Sequence, residues 1–391
     1  MPKQLRFQPA EPLVPERIRE ARLARGMTAI DLATSVGVTR QAISKYELGI
    51  ALPSSDILNS IASSLSMPLS FFQKPLTKPI NQGTVFFRSL KTNAARAKDI
   101  LSMKIQWAAQ FAKILSEDII FPDVDLPVLP DKYAQIIEFS YDDIEDIALY
   151  LRRHWNLGTA PIKNMSRLLE SHGIVVASVK TGYSETDACS SFIEGRPFVF
   201  LDMQKECAVR TRFNMAHELG HLLLHHDISQ KDIDDKKTLD RIEKEANQFA
   251  SCFLLPRASF ILDIRSTSLA SFLPLKNKWK VSIQAMVYRC RELDIFSESQ
   301  MIYIQKQISA KRWRKHEPYD DEWPCETPVI LSTAIQMLID RGDYSKEAFV
   351  ELFRLPEKDI EEICSLPNGY LNPTPQEKPV VINFSPRSER K

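Results

Sequence analysis

The sequence predicts an α+β protein, mostly helical with one small sheet, and three observations carry that reading. Short helices separated by tight, capped turns fill residues 15 to 72. Strand-like apolar runs bounded by Gly and Pro fall between residues 174 and 201. Apolar residues at helical spacing return on both sides of that stretch and continue to about residue 366. The expected order is an all-α N-terminal domain, a domain with a small sheet and a long apolar helix, and then accessory helices.

At the N-terminus, Glu16 to Ala24 reads as a first helix. Thr28, an N-cap residue after Gly26, opens a second over Ala29 to Val36. Gly37-Val38-Thr39 is a turn with its own cap, and Arg40 to Glu47 is a third helix stopped by Gly49; a fourth runs from about Ser55 to Leu65. Leu32, Ala33, Val38, Ile43, Ile57, Ile61 and Leu65 are spaced as one small core. A helix, a short turn with glycine and a polar helix make the helix-turn-helix pattern. The block, including Ala42-Ile-Ser-Lys-Tyr-Glu-Leu-Gly49, resembles the Xre/Cro-type DNA-binding domains of repressors. The resemblance implies that Arg40 and Gln41 meet base edges, with Thr39, Ser44 and Lys45 beside them at base or phosphate. By analogy it also implies a double-stranded DNA operator of palindromic form, bound as a homodimer. Residues 1 to 75 carry nine Lys/Arg against six Asp/Glu, a weakly basic balance that suits phosphate contacts. Arg17, Arg19, Arg22 and Arg25 crowd the first helix and read first as a solvated face.

Lys74 to Gly83 reads as a linker rich in Pro and polar residues. Residues 84 to 120 follow as a long helical pattern through Arg96, Met103, Trp107, Phe111 and Leu115. It serves either as a dimer-forming hairpin or as an arm on the next domain, and the second is preferred. Helices over Tyr141 to Trp155 and around Met165 to Ser171 lead into a strand at Ile174 to Val179. Ser190 to Ile193 and Phe198 to Leu201 then read as a hairpin across Glu194-Gly-Arg-Pro197. That hairpin is either an edge that accepts an extended peptide as an extra strand or an ordinary core element.

Phe213-Asn-Met-Ala-His217-Glu218-Leu-Gly-His221-Leu-Leu-Leu-His225 carries the chemistry. Four residues are about one helical turn, so His217 and His221 leave one face and can share a metal. Glu218 falls one position on, near enough to reach a water there, which is the H-E-x-x-H arrangement of two ligands and a general base. A histidine on an apolar helix is more often a satisfied core residue than a ligand. Two histidines and a glutamate sharing one apolar helix would nonetheless be costly to bury without a cation. Zinc is the expected ion, with another divalent metal as the alternative. Gly220 leaves room for another backbone. His225 lies about 12 Å along the axis from His217, too far to complete the set, and reads with His226 as the polar helix end. The helix Leu239 to Leu255, ended by Pro256, offers Glu243 and Glu245, and periodicity does not choose between them.

His217-Glu-Leu-Gly-His221 with Glu245-Ala-Asn-Gln-Phe-Ala250 and Leu254-Leu-Pro256 resembles the ImmA/IrrE-type zinc metallopeptidases over roughly residues 140 to 260. The resemblance implies a zincin-like domain and a glutamate ligand from the second helix, which maps onto Glu245. The implied site is therefore His217, His221 and Glu245 on Zn2+, with Glu218 catalytic. Such a site hydrolyses a peptide bond, Glu218 taking a proton from water and passing it to the leaving amine.

The remainder bounds the function. Lys+Arg 51 against Asp+Glu 50 gives the whole chain no electrostatic bias. The six cysteines are far apart and read as buried thiols in a reducing cytoplasm. There is no apolar signal region and no run near the ~18 apolar residues of a membrane span. Lys276, Lys278, Lys280, Arg289 and Arg291 read as a solvated face. Residues 326 to 366 form another small helical unit, and the tail from Asn372 is rich in Pro and charge, with Val380 to Phe384 able to dock as a strand. The expected domains are 1–75, the arm 76–139, the metallopeptidase-like 140–260, the helical 261–371 and the tail 372–391. Two functions follow. One is a DNA-binding regulator retaining a zinc peptidase site that cleaves a repressor-like or toxin-antitoxin-type partner. The other is a non-cleaving repressor or antitoxin whose metal domain senses a ligand or metal.

Overall fold

A computed structural model describes residues 12–76, 86–87, 94–133, 136–182, 188–203 and 207–372. The strand expected at Val380 to Phe384 and most of the linker expected at Lys74 to Gly83 lie outside them. The N-terminal helices are α1 (Pro15–Ala24), α2 (Ala29–Val36), α3 (Arg40–Glu47) and α4 (Ser55–Leu65). Their boundaries are local chemistry. Thr28 and Asp31 form a reciprocal capping box on α2, Gly37 ends that helix at φ 73°, and the Thr39 hydroxyl caps α3 at the amide of Ala42.

The long pattern after the linker is one helix, α5 (Ala94–Leu115), followed by α6 (Tyr141–His154) and α7 (Met165–Ser171). The sheet contains β1 (Phe86–Phe87), β2 (Val175–Ser178), β3 (Ala188–Ile193) and β4 (Arg196–Leu201), in the order β1-β3-β4-β2. β2 runs parallel to β4, and the β1–β3 and β3–β4 pairs are antiparallel. The hairpin turn is tighter than expected. Glu194 and Gly195 have φ of 49° and 82°, the left-handed pair a two-residue turn requires, so β4 already begins at Arg196.

After the sheet come α8 (Ala208–Leu224), α9 (Gln230–Asp234), α10 (Lys236–Leu254), α11 (Arg257–Asp263), α12 (Phe272–Trp279), α13 (Ile283–Glu292) and α14 (Glu298–Ala310). The last described helices are α15 (Ile330–Asp340), α16 (Lys346–Phe353) and α17 (Glu357–Ile363).

The sheet is buried on both faces, and alternate residues feed two cores. Val176, Val199 and Leu201 join α6 to α8, α10 and α12 to α14. Val175, Ala177, Phe198 and Phe200 join the other core, which also contains the N-terminal helices, α5 and α15 to α17. The arm therefore packs on more than the neighbouring domain. Trp107 of α5 donates its indole N–H to Glu20 of α1 at 2.7 Å, and the Phe111 ring lies tilted against Phe353 of α16 with centroids 4.1 Å apart. Lys104 pairs with Glu362 and donates to the carbonyl of Lys180 at 2.8 Å.

The charges expected to be solvated are largely structural. Arg17 is buried and donates to the carbonyls of Lys74 and Pro75, Arg22 forks onto Glu47, and Arg25 pairs with Asp359. Lys276 and Arg289 are both fully buried, Lys276 between Glu317 and Asp320, Arg289 against Glu145 and the carbonyl of Leu255. An unpaired buried charge would be prohibitive, and these bidentate and multiple contacts remove that penalty.

Candidate metal centre and recognition helix

α8 and α10 cross closely because Gly220 has no side chain. A Cβ there would meet the Cα of Ala246 at 3.3 Å and the Phe249 ring at 3.1 Å. This contact brings two imidazoles of one helix against a carboxylate of the other. His217 Nε2 and His221 Nε2 are 3.0 Å apart, and the Glu243 carboxylate oxygens lie 3.5 Å and 3.4 Å from them. The two rings are 1% exposed.

The carboxylate is Glu243, not Glu245. Two residues are about 200° of helical rotation, so the two side chains leave α10 on nearly opposite sides. Glu245 accepts the backbone N–H of Phe139 at 3.1 Å, pairs with Arg241, and meets His225 at 2.9 Å. The structure thus sets Glu243, rather than the expected Glu245, beside the two imidazoles, with Glu245 behind His225. His225, expected at a polar helix end, is equally buried and lies 3.0 Å from His221 through their Nδ1 atoms.

One assignment of tautomers satisfies the outer contacts of the three rings. The amide of Asn247 donates to the carbonyl of Glu243 at 2.7 Å, which turns its oxygen toward His217 Nδ1 at 3.1 Å, so that Nδ1 carries the proton. His225 donates through Nε2 to Glu245 and accepts through Nδ1 from His221. Both inner Nε2 atoms are then lone pairs facing a carboxylate. Two imidazole nitrogens and a carboxylate whose ligand atoms converge this closely suit Zn2+ with a further position open. Burial holds His221 and His225 down at about 3, favouring the neutral rings that ligation requires. Among the described residues this trio is the group arranged to hold a metal ion.

Glu218 is 2% exposed, and its Oε2 accepts the hydroxyl of Ser190 on β3 at 2.7 Å. Ser190 and Asn247 were not singled out by sequence reasoning, which left Glu243 as an alternative to Glu245. Asn247 had a usable signal, since it follows Glu243 by one turn. Ser190 had none, because its partnership depends on how the strand packs on α8. The outer edge of β3 is already paired here, with Phe86 and Phe87 opposite Ser190 and Cys189.

On α3 and its cap, Thr39, Arg40, Gln41 and Lys45 are exposed and Ser44 is half-buried, while Ile43 between them is fully buried. Arg40, Gln41 and Lys45 make no side-chain hydrogen bond or ion pair among the described residues. Thr39 is engaged as the helix cap.

Fold and site define a helix-turn-helix domain joined to a peptidase-like domain. Residues 18–72 match the helix-turn-helix family and residues 169–291 match the IrrE N-terminal-like domain, a peptidase family, so the chain is a fusion of the two. A curated relative, human endothelial differentiation-related factor 1, is 35% identical over 66 residues, which is 17% of this chain and 43% of that protein. The chain thus spans under half the length of that relative. A crystal structure of Bacillus thuringiensis PlcR with the peptide PapR7 and DNA aligns at 14% identity, covering 77% of this chain and 95% of that one. Its TM-score of 0.16 gives the likeness no weight. Among the described residues no helix is long and apolar enough to cross a membrane.

Proposed function

We propose that this protein is a cytoplasmic, DNA-binding transcription regulator that also hydrolyses a protein partner at a zinc site of His217, His221 and Glu243. The observation that carries the hydrolase half is the convergence of His217 Nε2, His221 Nε2 and the Glu243 carboxylate, with Glu218 next to His217 on α8 and held by the Ser190 hydroxyl. Zinc at such a site supplies a Lewis acid that polarises a carbonyl and makes water a ready proton donor near neutrality. Glu218 accepts that proton and delivers it to the leaving amine, while the Ser190 hydroxyl holds the carboxylate in place. His225 and Asn247 fix the two ligand rings in the tautomer that presents Nε2 inward.

The helix-turn-helix supports operator recognition by Arg40 and Gln41, with Thr39, Ser44 and Lys45 on the same face. Regulation without cleavage is the second reading. It is favoured by the ties from α1 to the last helices through Arg25–Asp359 and to α5 through Glu20–Trp107, which give a change in one half a route to the other.

The test compares wild type with Glu218→Gln. Both are expected to contain about one zinc per chain by elemental analysis and to shift the same operator DNA. A survey of new protein N-termini in cells should find fragments made by wild type and missing with the variant. Identical fragment sets with a regulatory output that persists in the variant would leave the non-cleaving sensor standing.

A further inference from the structure

The metal centre and its base are closed to a peptide in this structure. His217, His221 and Glu218 are 1%, 1% and 2% exposed, and the Glu243 side chain, at 17%, is the most open of the three ligands. Hydrolysis needs a substrate carbonyl at the metal and an attacking water within reach of Glu218. Groups buried to this degree admit both only after some element of the fold gives way.

The strand edge beside Glu218 points to which element that is. Ser190 holds Glu218 through its hydroxyl, 2.7 Å from the carboxylate Oε2 and 3.4 Å from the backbone carbonyl. β4 takes one edge of β3 from Ala188 to Ile193. The other edge is where a further strand can add, and β1 takes it at Cys189 and Ser190. An extended peptide joining a sheet uses this same main-chain pairing. β1 uses it in the antiparallel sense, one strand spacing, ~4.8 Å, from the residue that holds the base. It is also the most weakly held strand, paired over two residues where the β2–β4 and β3–β4 pairs run over four and six. The stretch that carries it is tied at both sides. Before it, the carbonyls of Lys74 and Pro75 accept Arg17; after it, α5 meets α2 through Arg96–Asp31 and α1 through Trp107–Glu20. Such a tether keeps β1 at high effective concentration at the edge without a strong contact.

Resting on the peptidase reading above, we propose that β1 is an autoinhibitory strand: the chain's own Phe86–Phe87 occupies the β3 edge at Cys189 and Ser190, and a protein substrate enters as an extended segment that takes its place. Recognition then runs through the substrate backbone, in the direction of β1, and requires a stretch free of proline at the pairing positions. The inhibition is a competition for one edge. It weakens apparent substrate binding in proportion to the fraction of molecules whose edge is occupied.

The experiment uses the full chain carrying Glu218→Gln, loaded with zinc, so that binding is read apart from cleavage. It is compared with the same chain carrying Phe86→Pro/Phe87→Pro as well, which removes the β1 amide donors. The probe is a fluorescein-labelled peptide copying residues 81–90, followed by anisotropy. It should bind the proline variant about tenfold tighter than the parent, the size of one or two net backbone hydrogen bonds. The same peptide with proline at both Phe positions should bind neither protein. Hydrogen exchange gives a readout that needs no variant: Phe86–Phe87 should be protected in the parent, and saturating peptide should expose them while Cys189–Ser190 stay protected. With Glu218 intact, a quenched form of the peptide should be cut by the proline variant with KM about tenfold lower and kcat unchanged. Equal peptide binding by parent and proline variant, or β1 amides that exchange as freely in the parent as in the variant, would overturn the proposal. Cleavage at the same KM in both would overturn it too and leave the peptidase reading standing. If the proline variant binds the peptide more tightly and the Glu218-intact protein never cuts it, the peptidase reading fails while the occluded edge stands.

Discussion

The two functional ends of this chain are built on opposite principles. At the metal centre each inner group is held from behind: His217 by Asn247, His221 by His225 and then Glu245, and Glu218 by Ser190. On the recognition helix, Arg40, Gln41 and Lys45 stand in solvent with only their helix fixed, by the Thr39 cap and the buried Ile43. A buried site has to be complete before its ligand arrives, since unpaired polar groups are penalised in the interior. An exposed one can leave its side chains free and fix only the scaffold that carries them. Geometry therefore discriminates between residues at the first site, and only between faces at the second.

The sharpest way to break this contrast is to exchange the roles of the two glutamates on α10. Glu243→Gln should reduce zinc affinity by well over a hundredfold in competition with a chromophoric chelator. Glu245→Gln, which alters the support of His225, should reduce it by about 10–100-fold, the range for outer-shell partners. A larger loss from Glu245→Gln would return the ligand role to Glu245 and make the triad geometry a poor guide.

Their separation also shows what the sequence made legible. His217, Glu218 and His221 could be read because their relation is one turn of a single helix. The hairpin could be read because its turn and alternation are local too. Choosing between Glu243 and Glu245 requires knowing which side of α10 meets α8, a tertiary fact that begins with the close approach at Gly220. The same reason hid Ser190, the β1–β3 pairing and the structural use of Arg17, Arg22, Arg25, Lys276 and Arg289. A charge run looks solvated until its distant partner is known.

Arg22 sharpens the exposed half. Its guanidinium forks onto Glu47 at 2.6 Å and 3.0 Å and reaches the carbonyl of Met27, tying α1 to the end of α3. Arg22→Ala should destabilise the protein by about 2–3 kcal/mol in urea unfolding, because a mostly buried carboxylate loses its partner. Arg19→Ala, at an exposed position three residues earlier, should change stability by less than about 0.5 kcal/mol. Equal effects would mean that the scaffold beneath the recognition helix is not held as described.

Arg40→Ala and Gln41→Ala should leave stability unaltered and act on DNA alone. Each is expected to remove about 1–3 kcal/mol of discrimination between operator and mismatched duplex, read as the ratio of the two dissociation constants. A uniform loss on every sequence would assign these side chains to phosphate rather than base.

The smallest effect separates the two ends by pH. Burial holds His221 and His225 down at about 3 in the folded protein, whereas an unfolded histidine titrates near ~6.5. Between those values the unfolded chain binds more protons than the folded one, so this contribution to stability is lost as pH falls below ~6.5. For metal-free protein, a step from pH 6.5 to 5.5 should remove about 1 kcal/mol per locked imidazole. Glu170, raised to about 7 by burial, works in the opposite direction, losing stability as pH rises, so the total slope does not isolate the histidines. The comparison that does is His225→Asn, which keeps Glu170 and removes one imidazole. Its slope between pH 6.5 and 5.5 should be shallower than wild type by about 1 kcal/mol. Parallel slopes would mean that the pair is not locked neutral by burial. The α3 segment Arg40–Glu47 contains no histidine, so operator preference should stay flat over the same step, and a pH-dependent preference would couple the two ends.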